Sequence, residues 1–233
     1  LRSTAEGDRL VIVPAPATER DESWWQQFQT SQFIALSRDL HGQLQGAGLT
    51  SAHFQPYAQP VPGAALVDVI TQRSALLWEP GGSTLASVRL ALRQCRALGL
   101  RRLQVANCAS GAERAELEAL QATCAEMLQL APATAQFRVD SVAGQLREHI
   151  CLFLPQPQTG LDPVVLQALA TGRLIVAPDA PMLRDYIGNL TTGLLYRASA
   201  PDDLPLLDNG RFRGFLAASL TKATRGHARW RAD

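Results

Sequence analysis

Lysine is almost absent from this sequence. Of its 22 basic residues only Lys222 is a lysine, and it lies close to the end of the chain. A Walker-type phosphate loop needs a lysine directly after its glycines, and Schiff-base catalysis needs one inside the fold. Both kinds of site are therefore excluded from the body of the protein.

Several other signatures of catalytic or metal sites are missing. The cysteines, Cys95, Cys108, Cys124 and Cys151, show no CxxC spacing, which argues against a zinc knuckle or a dithiol redox motif. There is no GxGxxG, GxSxG or HExxH motif, and the histidines are isolated from one another and from Asp or Glu at ligand spacing. A dinucleotide fingerprint, a nucleophilic triad and a metal site are therefore not predicted.

Strong charge and long apolar runs are also lacking. The net charge is +1, from 22 basic and 21 acidic residues, so no general electrostatic field attracts nucleic acid. No apolar run reaches the length of about 18 residues that a membrane span needs, and the first residues do not resemble a secretory signal. We expect a cytoplasmic protein without nucleic-acid partners, for which peripheral contact with the inner face of the membrane or with a partner subunit stays open.

Short apolar runs alternate with helical patterns along most of the chain. The runs are apolar through most of their length, which is typical of strands buried on both faces of a parallel sheet. Between them, Leu85, Val88, Leu92 and Cys95 recur at helical spacing, and so do residues 117, 120, 124 and 128. This alternation predicts a Rossmann-like, doubly wound α/β sheet. The predicted strands cover residues 10–13, 32–36, 75–78, 103–106, 135–139, 150–154 and 174–177.

The sequence divides into a small N-terminal part and a larger C-terminal part. Residues 54–67 (FQPYAQPVPGAALV) are rich in Pro and Gly and lack helical periodicity, which is typical of a linker. We predict a partial N-terminal α/β segment with its linker at residues 1–60 and a Rossmann-like domain at 61–233. The last residues, FRGFLAASLTKATRGHARWRAD, predict a basic helix that packs back on this domain.

Two glycine-containing loops follow predicted strands and lead into predicted helices. In EPGGST (79–84), either Ser83 or Thr84 can cap the following helix, and the glycines allow a phosphate to approach the backbone. The same pattern also suits a capped turn that binds nothing. The second loop, NCASGAER (107–114), contains Gly111.

Two further loops follow the later strands. In PQPQTGLDPV (155–164), Pro163 marks the first turn of a helix, and the residues before it can receive an anion. In PDAPMLRDYIG (178–188), we expect Asp179 to cap the helix that begins near Pro181. Because ligands of doubly wound sheets bind beyond the carboxyl ends of the strands, these loops are where a site is expected.

From about residue 33 to residue 196, the order of these features resembles the C-terminal half of a GT-B glycosyltransferase of the retaining family 4 type. The segment LLWEPGGSTLASVRLAL is similar to the family's first strand, turn and helix. The segment ICLFLPQPQTGLDPVVLQALATGRLIVAPDAPMLRDYIGNLTTGLLY is similar to its best-marked stretch. The resemblance implies a GT-B C-terminal domain that binds a nucleotide-diphosphate sugar donor and passes the sugar to a glycan, lipid or protein acceptor.

The resemblance also implies which residues contact the donor. In the third loop, Gly160, Leu161 and Asp162 would face the diphosphate and the sugar, and Gln167 would face the ribose hydroxyls. The family's pair of carboxylates is replaced here by Thr159 and Gln167. Neither of these positions therefore carries the family's negative charge.

The first two loops would complete the donor site. By the same resemblance, Gly81 and Gly82 would face the phosphates, and Gly111 would face the second loop's side of the pocket. The family's Arg–Lys pair, which neutralises the leaving phosphate, has no counterpart near residues 79–83. Arg184 and Arg138 are the arginines nearest to the loops, and we hypothesise that they replace it.

Two interpretations of function follow, and a third, an unrelated α/β ligand-binding domain, stays open. The first is a glycosyltransferase that needs no cofactor besides its donor substrate and no metal, since there is no Asp-x-Asp motif. The second is a catalytically degenerate GT-B-like module that binds a partner or a glycan. An exposed apolar surface around Trp24, Trp25 and Phe28 would favour the second.

Overall fold

The computed structural model describes residues 11–13, 24–25, 27–61, 70–108, 110–132, 144–156 and 162–232. The described residues form two compact units, one containing those up to Pro56 and the other those from Tyr57 onwards. The predicted strand at 135–139 and Arg138 lie outside the described residues.

The first unit contains a small parallel sheet. Strands β1 (Val11–Ile12), β2 (Gln32–Ala35) and β3 (Ser51–His53) pair in the order β1-β2-β3. Helix α1 (Arg38–Gly46) connects β2 to β3, and the Ser37 hydroxyl caps it by accepting a hydrogen bond from the Leu40 N–H at 3.2 Å. The apolar runs at 10–13 and 32–36 are thus strands, as the sequence predicts, whereas β3 is not predicted.

Aromatic side chains form the core of this unit. Trp25 and Phe33 are buried and meet edge to face, with ring centroids 5.7 Å apart. Trp24 and Phe28 are half-buried and stack against the same cluster, with centroids 5.0 Å apart. The tryptophan pair therefore stabilises this unit from within and does not form an exposed apolar surface.

The second unit is built on a parallel sheet. Among the described residues, six strands pair in the order β6-β5-β4-β7-β8-β9, which is the 3-2-1-4-5-6 arrangement of a doubly wound fold. The predicted Rossmann-like α/β class is thus confirmed, and the strand order reverses between β4 and β7. The strands are β4 (Ser74–Leu77), β5 (Arg102–Val105), β6 (Leu128–Leu130), β7 (Cys151–Phe153), β8 (Leu174–Pro178) and β9 (Gly193–Tyr196).

Helices cover the sheet and bury their apolar stripes against it. Helix α2 buries the predicted Val88, Leu92 and Cys95 in the core, and it ends at Gly99, whose φ of 74° closes the helix. Cys124 is partly buried and packs against the same core. The helices are α2 (Leu85–Leu98), α3 (Ala112–Thr123), α4 (Pro163–Ala170), α5 (Pro181–Tyr186) and α6 (Asn209–Trp230).

The helical pattern after Gly111 ends earlier than its periodicity predicts. Helix α3 stops at Thr123, and Leu128, which we predict on the same helical face, begins β6 instead. Pairing with β5 decides this, since Leu128 lies opposite Leu103 in the sheet. An apolar residue near the end of a helix suits a buried strand equally well, so only the sheet distinguishes the two.

The C-terminal helix packs on the second unit, as the sequence predicts. Helix α6 begins at the cap residue Asp208 and buries one stripe of side chains, Phe212, Phe215, Leu216, Ser219 and Ala223. Most of its basic residues lie outside this stripe. Within the part of the chain that the structure describes, no helix combines the length and the apolar content needed to cross a membrane.

The segment that opens the second unit lies against α6. Tyr57 is buried, and its carbonyl accepts a hydrogen bond from Nδ1 of His227 at 3.2 Å. The Tyr57 ring covers Gly226, where an added Cβ would lie 2.4 Å from the ring. Gly226 thus lacks a side chain because the tyrosine ring occupies that space.

Replacing either of two glycines of α6 by alanine should have opposite effects on the stability of the protein. Gly226→Ala forces the Tyr57 ring or the helix to move, and we expect a loss of about 1–3 kcal/mol in the free energy of unfolding. Gly214→Ala is the matched control, because no described residue lies within 4 Å of its Cβ position. There alanine should stabilise the helix by about 0.5–1 kcal/mol. Urea unfolding of both variants checks this, and equal effects would contradict the packing described.

A buried histidine lies at the amino edge of the sheet. His149 Nε2 is 3.1 Å from Gln104 Oε1, and Nδ1 is 3.1 Å from Ser74 Oγ. Burial, with a smaller contribution from the positive charge of Arg173, lowers the pKa of His149 to about 4. The folded protein therefore holds this imidazole neutral at pH values where the unfolded chain would protonate it.

This pKa predicts a loss of stability in mild acid. Between a pKa of about 6.5 in the unfolded chain and about 4 in the folded one, the unfolded state binds more protons, so stability falls as the pH falls. We expect His149 to account for a loss of about 2 kcal/mol between pH 7.5 and pH 5. The His149→Gln variant has no imidazole to protonate, so its free energy of unfolding should fall by about that much less over the same pH range. Unfolding curves at both pH values test this, and an unchanged pH dependence would refute it.

Candidate functional site

The reversal of strand order between β4 and β7 determines where a ligand can bind. In an open parallel sheet the binding crevice lies outside the carboxyl ends of the strands at such a point. Here the crevice is bordered by the loop after β4 and the loop after β7, whose strands pair directly. Three of the predicted site residues in the second of these loops, Thr159, Gly160 and Leu161, lie outside the described residues.

The loop after β4 makes a tight turn at the start of α2. The Gly82 N–H donates to the Glu79 carbonyl at 3.0 Å, and Gly82 has a φ of 92°, which favours glycine. Of the two predicted caps, Thr84 is the one used, because its Oγ1 accepts from the Ser87 N–H at 3.2 Å. Gly81 and Gly82 therefore lie beside the first turn of α2, with Gly81 exposed.

Glu79 is the buried acidic residue of this loop. One carboxylate oxygen, Oε1, accepts a hydrogen bond from the Gln156 side chain in the loop after β7, and Oε2 has no hydrogen-bond partner among the described residues. Burial raises the pKa of Glu79, while the Ser87 hydroxyl and the Thr84 N–H, which lie against the carboxylate, lower it. The first turn of α2 thus already faces a carboxylate of the protein itself.

Sequence reasoning does not single out Glu79. The sequence signal is its position as the first residue after the apolar run 75–78, directly before Pro80 and the two glycines. That position is compatible with an exposed turn residue, which is the usual environment of a glutamate. Only the structure reveals that 3% of this side chain is exposed.

Asp162 links the two loops. Its Oδ1 accepts from the Val164 N–H at 2.8 Å and so caps α4, which begins at Pro163 as predicted. Its Oδ2 accepts from the indole Nε1–H of Trp78 at 2.7 Å. Both oxygens therefore accept hydrogen bonds from the protein itself.

The remaining predicted site residues lie on neighbouring elements. Gln167 is half-buried on α4, one turn after Pro163. Gly111 is the cap residue of α3, with a φ of 71° and no side-chain cap. The loop after β5 that leads to Gly111 reaches the loop after β4, since the Asn107 carbonyl accepts from the Ser83 N–H at 2.8 Å. The three loops therefore meet at one edge of the sheet.

The expectation that Asp179 caps α5 is wrong. The cap residue is Ala180, which makes no side-chain hydrogen bond, and α5 begins at Pro181. The Asp179 carboxylate accepts two hydrogen bonds from Arg184, at 2.7 and 2.8 Å, and these lower the pKa of Asp179. A bidentate arginine is a stronger partner for a carboxylate than a helix N–H, and Arg184 lies one turn into the helix, within reach.

The charged side chains at the crevice are acidic. Over the described residues 78–84, 154–156 and 162, Glu79 and Asp162 carry the charge, and no basic side chain is present. The described part of the chain also brings no three His, Cys, Asp or Glu side chains together as a metal site would require. The groups that favour an anionic ligand there are the backbone N–H groups at two helix starts. Two carboxylates flank them.

The bond between Trp78 and Asp162 predicts a measurable coupling. Asp162→Ser keeps a cap but loses the indole bond, Trp78→Phe loses only that bond and some packing, and the double variant completes a thermodynamic cycle. We expect a coupling energy of about 1.5–3 kcal/mol from urea unfolding, as for a hydrogen bond to a charged group. Asp208→Ala, at the exposed cap of α6, is a control for capping alone and should cost about 1 kcal/mol. A coupling near zero would contradict the geometry.

Comparison with known proteins identifies solved structures of similar fold. No protein-family model and no curated sequence matches the chain. A glycosyltransferase from Rickettsia africae superposes with a TM-score of 0.67 at 9% identity, covering 95% of this chain and 68% of that one. HepE from Anabaena, in complex with UDP-glucose, gives 0.65 at 12% identity, with coverages of 96% and 71%. TarM from S. aureus gives 0.61 at 11% identity, with coverages of 97% and 47%.

These neighbours are glycosyltransferases of the GT-B fold, and the chain spans between about half and about seven tenths of their length. Sequence identities of 9–12% show that these proteins share a fold with this chain, but they do not show a shared activity. The fold expected from the resemblance is thereby confirmed. The chain therefore has the fold that is found in the GT-B glycosyltransferases.

Proposed function

We propose that this protein binds a nucleotide-diphosphate sugar at the crevice between β4 and β7 and transfers the sugar to an acceptor. The observation that carries the proposal is that two helix starts, those of α2 and α4, follow the two strands where the sheet order reverses. Backbone N–H groups at such starts suit the phosphates of a nucleotide. The roles expected for Gly81, Gly82, Gly111, Thr159, Gly160, Leu161, Asp162 and Gln167 belong to this proposal.

The structural neighbours support a nucleotide-sugar donor. HepE was solved with UDP and glucose and with UDP-glucose, and the pneumococcal O-GlcNAc transferase GtfA with UDP and GlcNAc. TarM was solved with UDP together with fondaparinux and α-GlcNAc-glycerol. Because these proteins were crystallised with such different compounds, we leave the acceptor as a glycan, a lipid or a protein.

A second function has a specific observation in its favour. The crevice loops carry two carboxylates and no basic side chain in their described parts, and both oxygens of Asp162 accept hydrogen bonds from the protein. Positive charge on the leaving diphosphate is a large contribution to this type of catalysis. The alternative is therefore a degenerate module that binds a partner or a glycan and catalyses no transfer.

Arg184 is the described arginine that we propose supplies positive charge. It follows β8 at the same edge of the sheet and is held by Asp179 in an exposed bidentate pair. Arg93 makes a similar exposed pair with Asp202 but lies in the second half of α2, away from the start of that helix. The two arginines therefore form a matched pair for mutagenesis.

Titration with UDP, GDP and their common sugars tests the proposal. A ligand at 100 times its Kd should stabilise the protein by roughly 2.7 kcal/mol, seen as a rise in Tm with one of the nucleotides. Arg184→Ala should weaken the binding of the diphosphate, whereas Arg93→Ala should leave it unchanged. If no nucleotide shifts the Tm of the folded protein, the donor site is refuted.

A turnover measurement separates the two functions. With the bound donor and a panel of glycan, lipid and peptide acceptors, a transferase releases the nucleoside diphosphate in proportion to product. Saturable donor binding with no release above the rate without protein would favour the non-catalytic module.

A further inference from the structure

Glu79 is a carboxylate buried in the crevice, and the described parts of the two crevice loops contain no basic side chain to neutralise it. The residue is 3% exposed, and Oε2 makes no hydrogen bond to any described residue. The interaction at Oε1 comes from the Gln156 amide, which is neutral. A buried carboxylate without an opposite charge is costly, so a feature of this kind calls for an explanation.

The surroundings of Glu79 add negative charge to this position. Burial is the main cause of the raised pKa of Glu79. The negative charge of Glu113 on α3 raises this pKa further. From α2, the groups that lie against it are the Ser87 hydroxyl and the Thr84 N–H, and from the loop after β7, the Gln156 amide. The described parts of the two crevice loops supply no basic side chain. In the described parts of these loops, the groups that favour the charged form of Glu79 are therefore neutral, and no cation offsets its charge.

The carboxylate lies beside the start of α2. The N–H groups of the first turn of a helix, together with the helix dipole, form the part of the fold that attracts anions. In this protein the Thr84 N–H, at the start of α2, faces Glu79. A phosphate at the same place would meet a second negative charge at close range.

We propose that Glu79 determines ligand specificity by placing a carboxylate beside the first turn of α2, so that each phosphate added to a ligand in the crevice is disfavoured. This inference rests on the proposed nucleotide site. At that site, the charge of Glu79 repels the phosphate groups of a ligand. Glu79 positions no reacting atom. It selects ligands by charge.

A charge series of ligands tests the role of Glu79. Binding of uridine, UMP and UDP is measured by calorimetry for the wild type and for Glu79→Gln, which keeps an oxygen for the Gln156 amide and removes the charge. We expect the ratio of variant to wild-type affinity to be near one for uridine, larger for UMP, and about tenfold for UDP. Glu79→Ala, which removes the whole carboxylate, should change the ratios in the same direction.

Glu126→Gln is the matched control. It removes the same charge from an exposed residue just before β6, at the amino edge of the sheet, away from the crevice. Its affinities should equal those of the wild type for all three ligands. Unfolding curves establish that the Glu79 variants are folded at the temperature of the titration.

The outcomes separate this inference from the proposed function. If the wild type binds UDP and the Glu79 variants bind all three ligands as the wild type does, the inference is overturned and the nucleotide site stands. If the variants bind UDP more weakly, Glu79 is a ligand contact and the inference is likewise overturned. If no protein of the series binds any of the three ligands, the nucleotide site and the inference both fail.

Discussion

The pairing of β4 with β7 is the constraint on which the candidate site depends. The two strands are buried along their whole length and lie in parallel register, with Ala75 opposite Cys151 and Leu77 opposite Phe153. This register brings the two following loops to the same level, and the Trp78 N–H continues the pairing by donating to the Phe153 carbonyl at 3.0 Å. Two side-chain bonds then join the loops, from Trp78 to Asp162 and from Gln156 to Glu79. The crevice is therefore an extension of the sheet.

The same geometry brings together features with opposing electrostatic effects. The starts of α2 and α4 attract anions, whereas Glu79 and Asp162 carry negative charge at those starts. A carboxylate at a helix start stabilises the helix, and for Asp162 this capping role is visible in its bond to the Val164 N–H. What stabilises the fold here also opposes a phosphate. Under the proposed function, a diphosphate would need positive charge from elsewhere, and Arg184 is the arginine that we propose for that role.

Much of the fold could be predicted from local patterns. The runs at 75–78, 103–106, 150–154 and 174–177 correspond to central strands, because a strand covered on both faces must be apolar throughout. The sequence predicts a cap at Ser83 or Thr84 for α2 and a first turn near Pro163 for α4, because a capping hydroxyl and a proline at the first turn act within a few residues. Strands β3, β6 and β9 were not predicted. They are short edge elements, and pairing with a neighbour defines them more than their own sequence does.

The candidate site was less predictable than the fold, for a related reason. Asp179 does not cap α5 as expected, because its carboxylate accepts two hydrogen bonds from Arg184, five residues away. The importance of Glu79 emerges only when Gln156, 77 residues further along the chain, lies against it. By itself, the sequence determined the central strands and the helices that alternate with them, the starts of α2 and α4, and the lack of lysine, because these depend on neighbouring residues or on composition. Only the tertiary structure decided which carboxylates are buried and what they face, because burial and charge depend on residues that are distant in the chain and adjacent in the fold.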